Sequence, residues 1–248
     1  MKKFLIYSLF TVAIIVFGAI IFFKIKSEPK PTIVSENGDE LAKAMQTTLD
    51  VSAWDSLHFL HWSFRGDTEY TWDKVQNLVV VKWDGNQVNL TLDKVEGIAF
   101  TDGVQAGKLK TKWLVRKAWK KWCNDSYWMF APFKVFDPGT RRTIAKLPDG
   151  TQGLWVEYLT GGVTPGDGYF WILDADKKPK AFKMWVSIIP LKGVEASWEN
   201  WVELSGGAWL STAHGFDVFG KKISTEMLDV RQGDSWGDFG FDDQIEFL

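Results

Sequence analysis

Three histidines and one cysteine, His58, His61, His214 and Cys123, are the side chains best suited to nucleophilic, acid–base or metal chemistry. His58 and His61 lie three residues apart. On a strand that spacing puts them on opposite faces, a poor start for a shared metal or a base with its orienting partner. A lone cysteine permits no intrachain disulfide and no multi-cysteine zinc site. Neighbouring Lys120 and Lys121 favour a thiolate, but a single cysteine at an apolar helix end is more often buried filler. There is no Gly-x-Ser-x-Gly elbow. The stretch GGVTPGDG lacks the Gly-Lys-Ser/Thr ending of a phosphate loop and reads as a turn. Asp234, Asp238, Asp242 and Asp243 do not fit a calcium loop. No spacing pairs two carboxylates for acid–base work. The expectation is a protein that is not an enzyme, with no metal and no cofactor.

What the sequence does offer is tryptophan, 15 in 248 residues. From Gly150 to His214, apolar, β-branched and aromatic runs alternate with turn clusters of Gly, Pro, Asp and Ser, the pattern of an antiparallel meander. Leu57 to Gly103 repeats it, with Asp84-Gly85-Asn86 as a hairpin signal between alternating runs. Side chains alternate between the two faces of a strand, so a one-sided sheet shows a polar face. Here tryptophan sits on both faces. Either helices cover the second face or it lines an apolar cavity. The strand tryptophans Trp62, Trp83, Trp155, Trp171, Trp185 and Trp201 are the candidate cavity residues.

The rest of the chain must position these strands. Phe4 to Phe23 is a run of 20 residues without a charge, long enough to cross a bilayer core as a helix. It is long for a signal-peptide core and ends in IIFFKIK without a small-x-small site, so it reads as an uncleaved anchor. The expected organisation is an anchor over 1–26, a linker over 27–36, a β-rich domain over 37–230 and an acidic aromatic tail over 231–248. That tail either folds back over the sheet or extends from it. Asn37 to Thr48 reads as a short packing helix. Gly107 to Trp122, GKLKTKWLVRKAWKKW, is a helix without an acid. Leu114, Val115, Ala118, Trp119 and Trp122 share one face, and NDSYWMFAPFKVFDPGT follows as helix end and loop. Trp113, Arg116, Lys117 and Lys120 fall on its basic side. That side is either solvated, as charge runs usually are, or touches anionic lipid or an acidic partner. A formal net charge of -2 argues against a nucleic-acid partner.

A leader, a short helix and a long meander with a helical insertion resemble the LolA/LolB lipoprotein-carrier superfamily. The likeness centres on GYFWILDADKKPKAFKMWV, in which a strand ends in Leu-Asp, turns through Lys-Pro and returns. NDSYWMFAPFKVFDPG followed by GGVTPGDGYFWILD also resembles bacterial envelope proteins, often from Bacteroidota, that are described as LolA-like. The resemblance covers about residues 50 to 215. It implies an α+β fold, a half-barrel of antiparallel strands around a few helices, with an apolar cavity for acyl chains. It differs from that family in having a membrane helix and no lipidation cysteine. The expectation is an inner-membrane-anchored protein, with its soluble domain in the periplasm or outside the cell, that binds a lipid or lipoprotein acyl chain. A carbohydrate-binding or structural envelope domain is the alternative.

Overall fold

The computed structural model describes residues 7, 11, 17, 18, 21–161, 163–218, 221–242 and 245–247. The expected anchor over 4–23 lies largely outside these residues. Among the described residues, no helix is long and apolar enough to cross a membrane.

The chain builds one open antiparallel sheet of 15 strands from two meanders. The first comprises β2 (Phe59–Phe64), β3 (Thr68–Asp73), β4 (Leu78–Trp83), β5 (Asn86–Thr91), β6 (Glu96–Thr101) and β7 (Val104–Gln105). The second comprises β8 (Thr140–Lys146), β9 (Gln152–Tyr158), β10 (Asp167–Leu173), β11 (Pro179–Trp185), β12 (Val194–Ser197), β13 (Glu199–Glu203), β14 (Trp209–Val218) and β15 (Lys221–Gly233). They join where β15 pairs with β2, Met227 opposite Phe64 and Gly233 opposite Phe59. An early strand, β1 (Thr32–Ser35), adds to β8. The short strands β1 and β7 therefore form the two edges, and the sheet does not close. Short edges limit unwanted pairing with other chains.

Tight turns set the register of the first meander. Asp84-Gly85 and Asp102-Gly103 both take positive φ at both positions (45° and 70°, 50° and 78°). That geometry matches strand twist and favours Asp-Gly. Arg65-Gly66 makes a third such pair. All three turns lie at one rim of the sheet. By register, the β11–β12 connection lies at that rim too, with Met184 opposite Val194.

One face, the inner face, is covered by α1 (Asp39–Thr47), α2 (Val51–Asp55) and α3 (Lys108–Phe130). In α1, Asp39 and Glu40 occupy the first turn, where the helix dipole favours acids, and Ala42 and Met45 are buried. The Asp50 side chain caps α2 by accepting from the Ala53 amide at 3.0 Å. Helix α3 joins the two meanders and packs on β5, β6 and β14. Instead of ending near Trp122, it continues through Asn124, Asp125 and Ser126 to Phe130. These three are helix-averse residues whose side chains are occupied: Ser126 Oγ donates to the Trp122 carbonyl, and Asp125 accepts from Tyr70 on the sheet. A 3-10 turn, Ala131–Lys134, ends the helix at Pro132.

The other, outer face is covered by the ends of the chain. Over the first meander, Trp236 and Phe247 of the tail pack with Phe59 and Val80. Over the second, Trp155, Phe170 and Trp185 cluster, with Trp185 Nε1 donating to the Glu28 carbonyl and Lys183 Nζ to its carboxylate. The tail thus folds back over the sheet. Within the second meander the chain breaks at Trp198 between β12 and β13, and β14 runs through His214 to Val218.

Strand glycines make room for the outer aromatics. A Cβ on Gly168 would lie 2.3 Å from the Trp155 ring, and one on Gly153 would lie 2.8 Å from Phe170. Gly168→Ala is therefore expected to cost about 1–3 kcal/mol by overpacking. Exposed Gly206→Ala, whose Cβ would meet nothing nearer than 3.7 Å, should cost under ~0.5 kcal/mol. The urea midpoints of the two variants check this.

Candidate functional site

The inner face of the first meander presents Leu60 and Trp62 from β2, Tyr70 and Trp72 from β3, Val79, Val81 and Trp83 from β4, and Val88 and Leu90 from β5. Strand alternation puts all of them on one side. Helix α3 lays Trp122 and Phe130 across them. Trp62 stacks on Tyr70 at 4.9 Å, Trp72 meets Trp122 and Phe130 at 5.3 Å each, and Trp54 of α2 stacks on Phe133 at 4.4 Å. A second aromatic group follows under the helix end. Trp128 packs on Phe182 at 5.5 Å and on His214 at 5.3 Å, and Trp198 lies 5.1 Å from Trp171 and 4.5 Å from His214.

Two polar contacts pin the helix. The Tyr70 hydroxyl donates to the buried Asp125 carboxylate, which also accepts from Asn124 at 2.8 Å. Burial raises the Asp125 carboxyl above the usual range against the lowering effect of those bonds, and burial likewise raises the Tyr70 phenol. Lys121 Nζ donates to Thr68 Oγ1 at 2.7 Å.

The layer holds an unusual set of buried donors. Nε1 of Trp62, Trp72, Trp83, Trp171 and Trp198 finds no acceptor among the described residues. Buried indole N–H groups usually find a partner, and each orphan costs about 1–3 kcal/mol. Five such donors on one apolar layer are chemically matched to a molecule that carries acceptors on an apolar body.

The six candidate tryptophans separate. Trp62, Trp83 and Trp171 belong to the inner layer and are packed rather than facing an open cavity. Trp155 and Trp185 lie on the outer face, 5.4 Å apart, with Lys30 over Trp155 at 5.8 Å. Trp201 is half-buried beside both inner clusters, with Lys178 at 4.6 Å over its ring. Trp72, Trp122, Trp128 and Trp198 complete the layer and were not among the candidates. Parity with Tyr70 already places Trp72; only packing reveals the helix residues. On α3, Trp113, Arg116 and Lys120 are exposed and Lys117 is half-buried.

The potential chemistry of the histidines and the cysteine does not converge. His61 faces outward, its Nδ1 2.8 Å from Thr71 Oγ1, in a 210 Å³ cleft with Arg231 and Phe239. His214 is buried inside, and Cys123 lies half-buried against the first core, where burial pushes its thiol up to about 12. Among the described residues no group of three His, Cys, Asp or Glu side chains is placed to hold a metal. A polar cleft of 520 Å³ opens at the rim between Gly66, Asp67, Trp83 and Gly103.

No protein-family model and no curated protein matches the chain. Solved structures similar to it include a DUF1329 family protein from Desulfovibrio piger. That protein is 9% identical, with a TM-score of 0.43, covering 83% of this chain and 94% of that one. Another is a domain from Vibrio parahaemolyticus described, provisionally, as an outer membrane lipoprotein-sorting protein. It is 10% identical, with a TM-score of 0.35, covering 82% of this chain and 97% of that one. Both likenesses are remote, and neither says what this chain binds.

His214 yields a prediction. Its Nδ1 donates to the Ser197 carbonyl at 2.8 Å, and burial holds its pKa near about 4, below the usual 6.5. Between those values the unfolded chain binds more protons than the folded one, so stability is lost as pH falls from 6.5 towards 4. The loss should be on the order of 3 kcal/mol, at 1.36 kcal/mol per unit. Urea unfolding across this pH range should show that slope, and His214→Gln should flatten it.

Proposed function

We propose that this protein is a membrane-anchored envelope domain that binds a long-chain amphiphile, a lipid or a lipoprotein acyl chain, between α3 and the inner face of the sheet. It acts by binding rather than by catalysis. Residues 4–23 hold it in the inner membrane, with the sheet in the periplasm or outside the cell. The observation that carries the reading is the row of orphaned indole donors in an aromatic layer covered by one helix. An acyl chain replaces the apolar contacts that α3 makes, and its ester or amide carbonyls accept from the indoles. The gain is about 0.8 kcal/mol per buried methylene, so a dozen methylenes set about 10 kcal/mol against the cost of lifting the helix.

The carbohydrate-binding alternative draws less support. Sugar platforms need tryptophan faces open to solvent. Of the 15 tryptophans, only Trp113 is exposed.

Intrinsic fluorescence tests the proposal on the full chain in dilute non-quenching detergent. A bromine-bearing fatty acid, titrated below its micelle point, should quench the buried tryptophans saturably. Trp62→Phe, which keeps an aromatic ring and removes the indole donor, should weaken the binding of a carbonyl-bearing lysolipid about 5- to 10-fold, the equivalent of one hydrogen bond. Quenching no greater than Trp113 alone supplies, measured as the difference from Trp113→Phe, contradicts the proposal.

A further inference from the structure

The first half of α3 breaks the local rules of helix design. Its N-cap is Gly107, without a side-chain cap, and its first turn holds no acid. Instead Lys108, Lys110 and Lys112 crowd the end where the helix dipole is positive, an unfavourable placement. From Gly103 to Lys121 there are seven basic residues and not one acid. None of the seven makes an ion pair among the described residues.

Large apolar side chains stand in the middle of this charge. Leu109 is 87% exposed, Val104 on β7 71% and Trp113 59%. Lys117 Nζ lies 5.3 Å from the Trp113 ring, so charge and aromatic face form one surface. A purely solvated basic face has no use for three exposed apolar tips. A nucleic acid would match the charge but not those tips, and an acidic protein would need an apolar patch set among its carboxylates. Basic side chains around Trp and Leu match an anionic bilayer, where phosphates meet the ammonium groups and the helix N-terminus while the apolar tips enter the acyl boundary.

The fold aims this surface. Lys117 and Lys121 reach Trp83 and Thr68, at the rim carrying the Asp84-Gly85 and Asp102-Gly103 turns. The chain's N-terminal segment docks at the same rim. Ser27 Oγ accepts from the Lys192 amide at 3.0 Å, and the Glu28 amide donates to the Lys192 carbonyl at 3.0 Å, in the β11–β12 connection. With residues 4–23 in a bilayer, that rim is the one tethered near it.

We infer that the start of α3 together with β7 is a docking surface for an anionic phospholipid bilayer, built on Leu109, Trp113 and Val104 and on the basic residues around them. The surface is separate from the inner aromatic layer and does not depend on a bound amphiphile.

The test uses the full chain with Cys123→Ser and Leu109→Cys, nitroxide-labelled at residue 109 and reconstituted into vesicles of phosphatidylcholine with or without phosphatidylglycerol. Power-saturation EPR reads the ratio of oxygen to nickel-chelate collisions. In anionic vesicles the ratio should rise several-fold over that in neutral ones, and Arg116→Gln with Lys120→Gln should abolish the rise. A label at Val75→Cys, exposed at the opposite rim, should stay in water throughout. Flotation of the chain reports the anchor separately. A chain that floats with both vesicle types but keeps residue 109 in water overturns the docking surface and leaves the anchor standing. Flotation with anionic vesicles alone supports the surface and removes the anchor, and flotation with neither overturns both.

Discussion

A single helix lying across the inner face is the constraint on which the rest of the structure depends. Each meander carries an aromatic inner face that would be open to water by itself. Helix α3 starts at the β6–β7 edge of one, crosses to β14 of the other, and buries aromatics of both. It is also the covalent link between the meanders. The pairing of β15 with β2 sets the two inner faces side by side, so that the sheet offers α3 one continuous platform. The Tyr70–Asp125 bond fixes the register of helix on sheet within an otherwise non-directional aromatic contact.

The outer face is closed by different means. The ends of the chain cover it, the linker near Glu28 on one half and the tail around Trp236 on the other. This explains why tryptophan appears on both faces of the strands without an exposed aromatic row. Among the indoles, the outer one of Trp185 has its acceptor, whereas those of Trp62, Trp72, Trp83, Trp171 and Trp198 on the inner face have none among the described residues.

Much of the sheet was legible because strand patterns are local. The Asp84-Gly85 hairpin, the alternating faces and the buried stripe Leu114, Val115, Ala118 and Trp122 all follow from periodicity and turn chemistry. The continuation of α3 through Asn124–Ser126 was not legible, because Tyr70, far away in sequence, occupies the Asp125 side chain. The tryptophan assignments divide the same way. Strand aromatics include Trp62, Trp83 and Trp171 on the inner face and Trp155 and Trp185 on the outer one, which strand parity separates, whereas the place of Trp122 and Trp128 of α3 against them follows only from packing. The β15–β2 joint pairs residues more than 160 positions apart, which no local pattern announces.

The central claim is that α3 is a cover over the aromatic layer that can lift as a unit while the sheet persists. Native-state hydrogen exchange of the full chain, read by mass spectrometry on peptides from 108–130 and from β2–β5, tests this most directly. The account predicts that α3 amides exchange through an opening cheaper than global unfolding, and that a long-chain amphiphile speeds their exchange while leaving the strands protected. Helix and strands that exchange together through global unfolding alone, with or without the amphiphile, would contradict it.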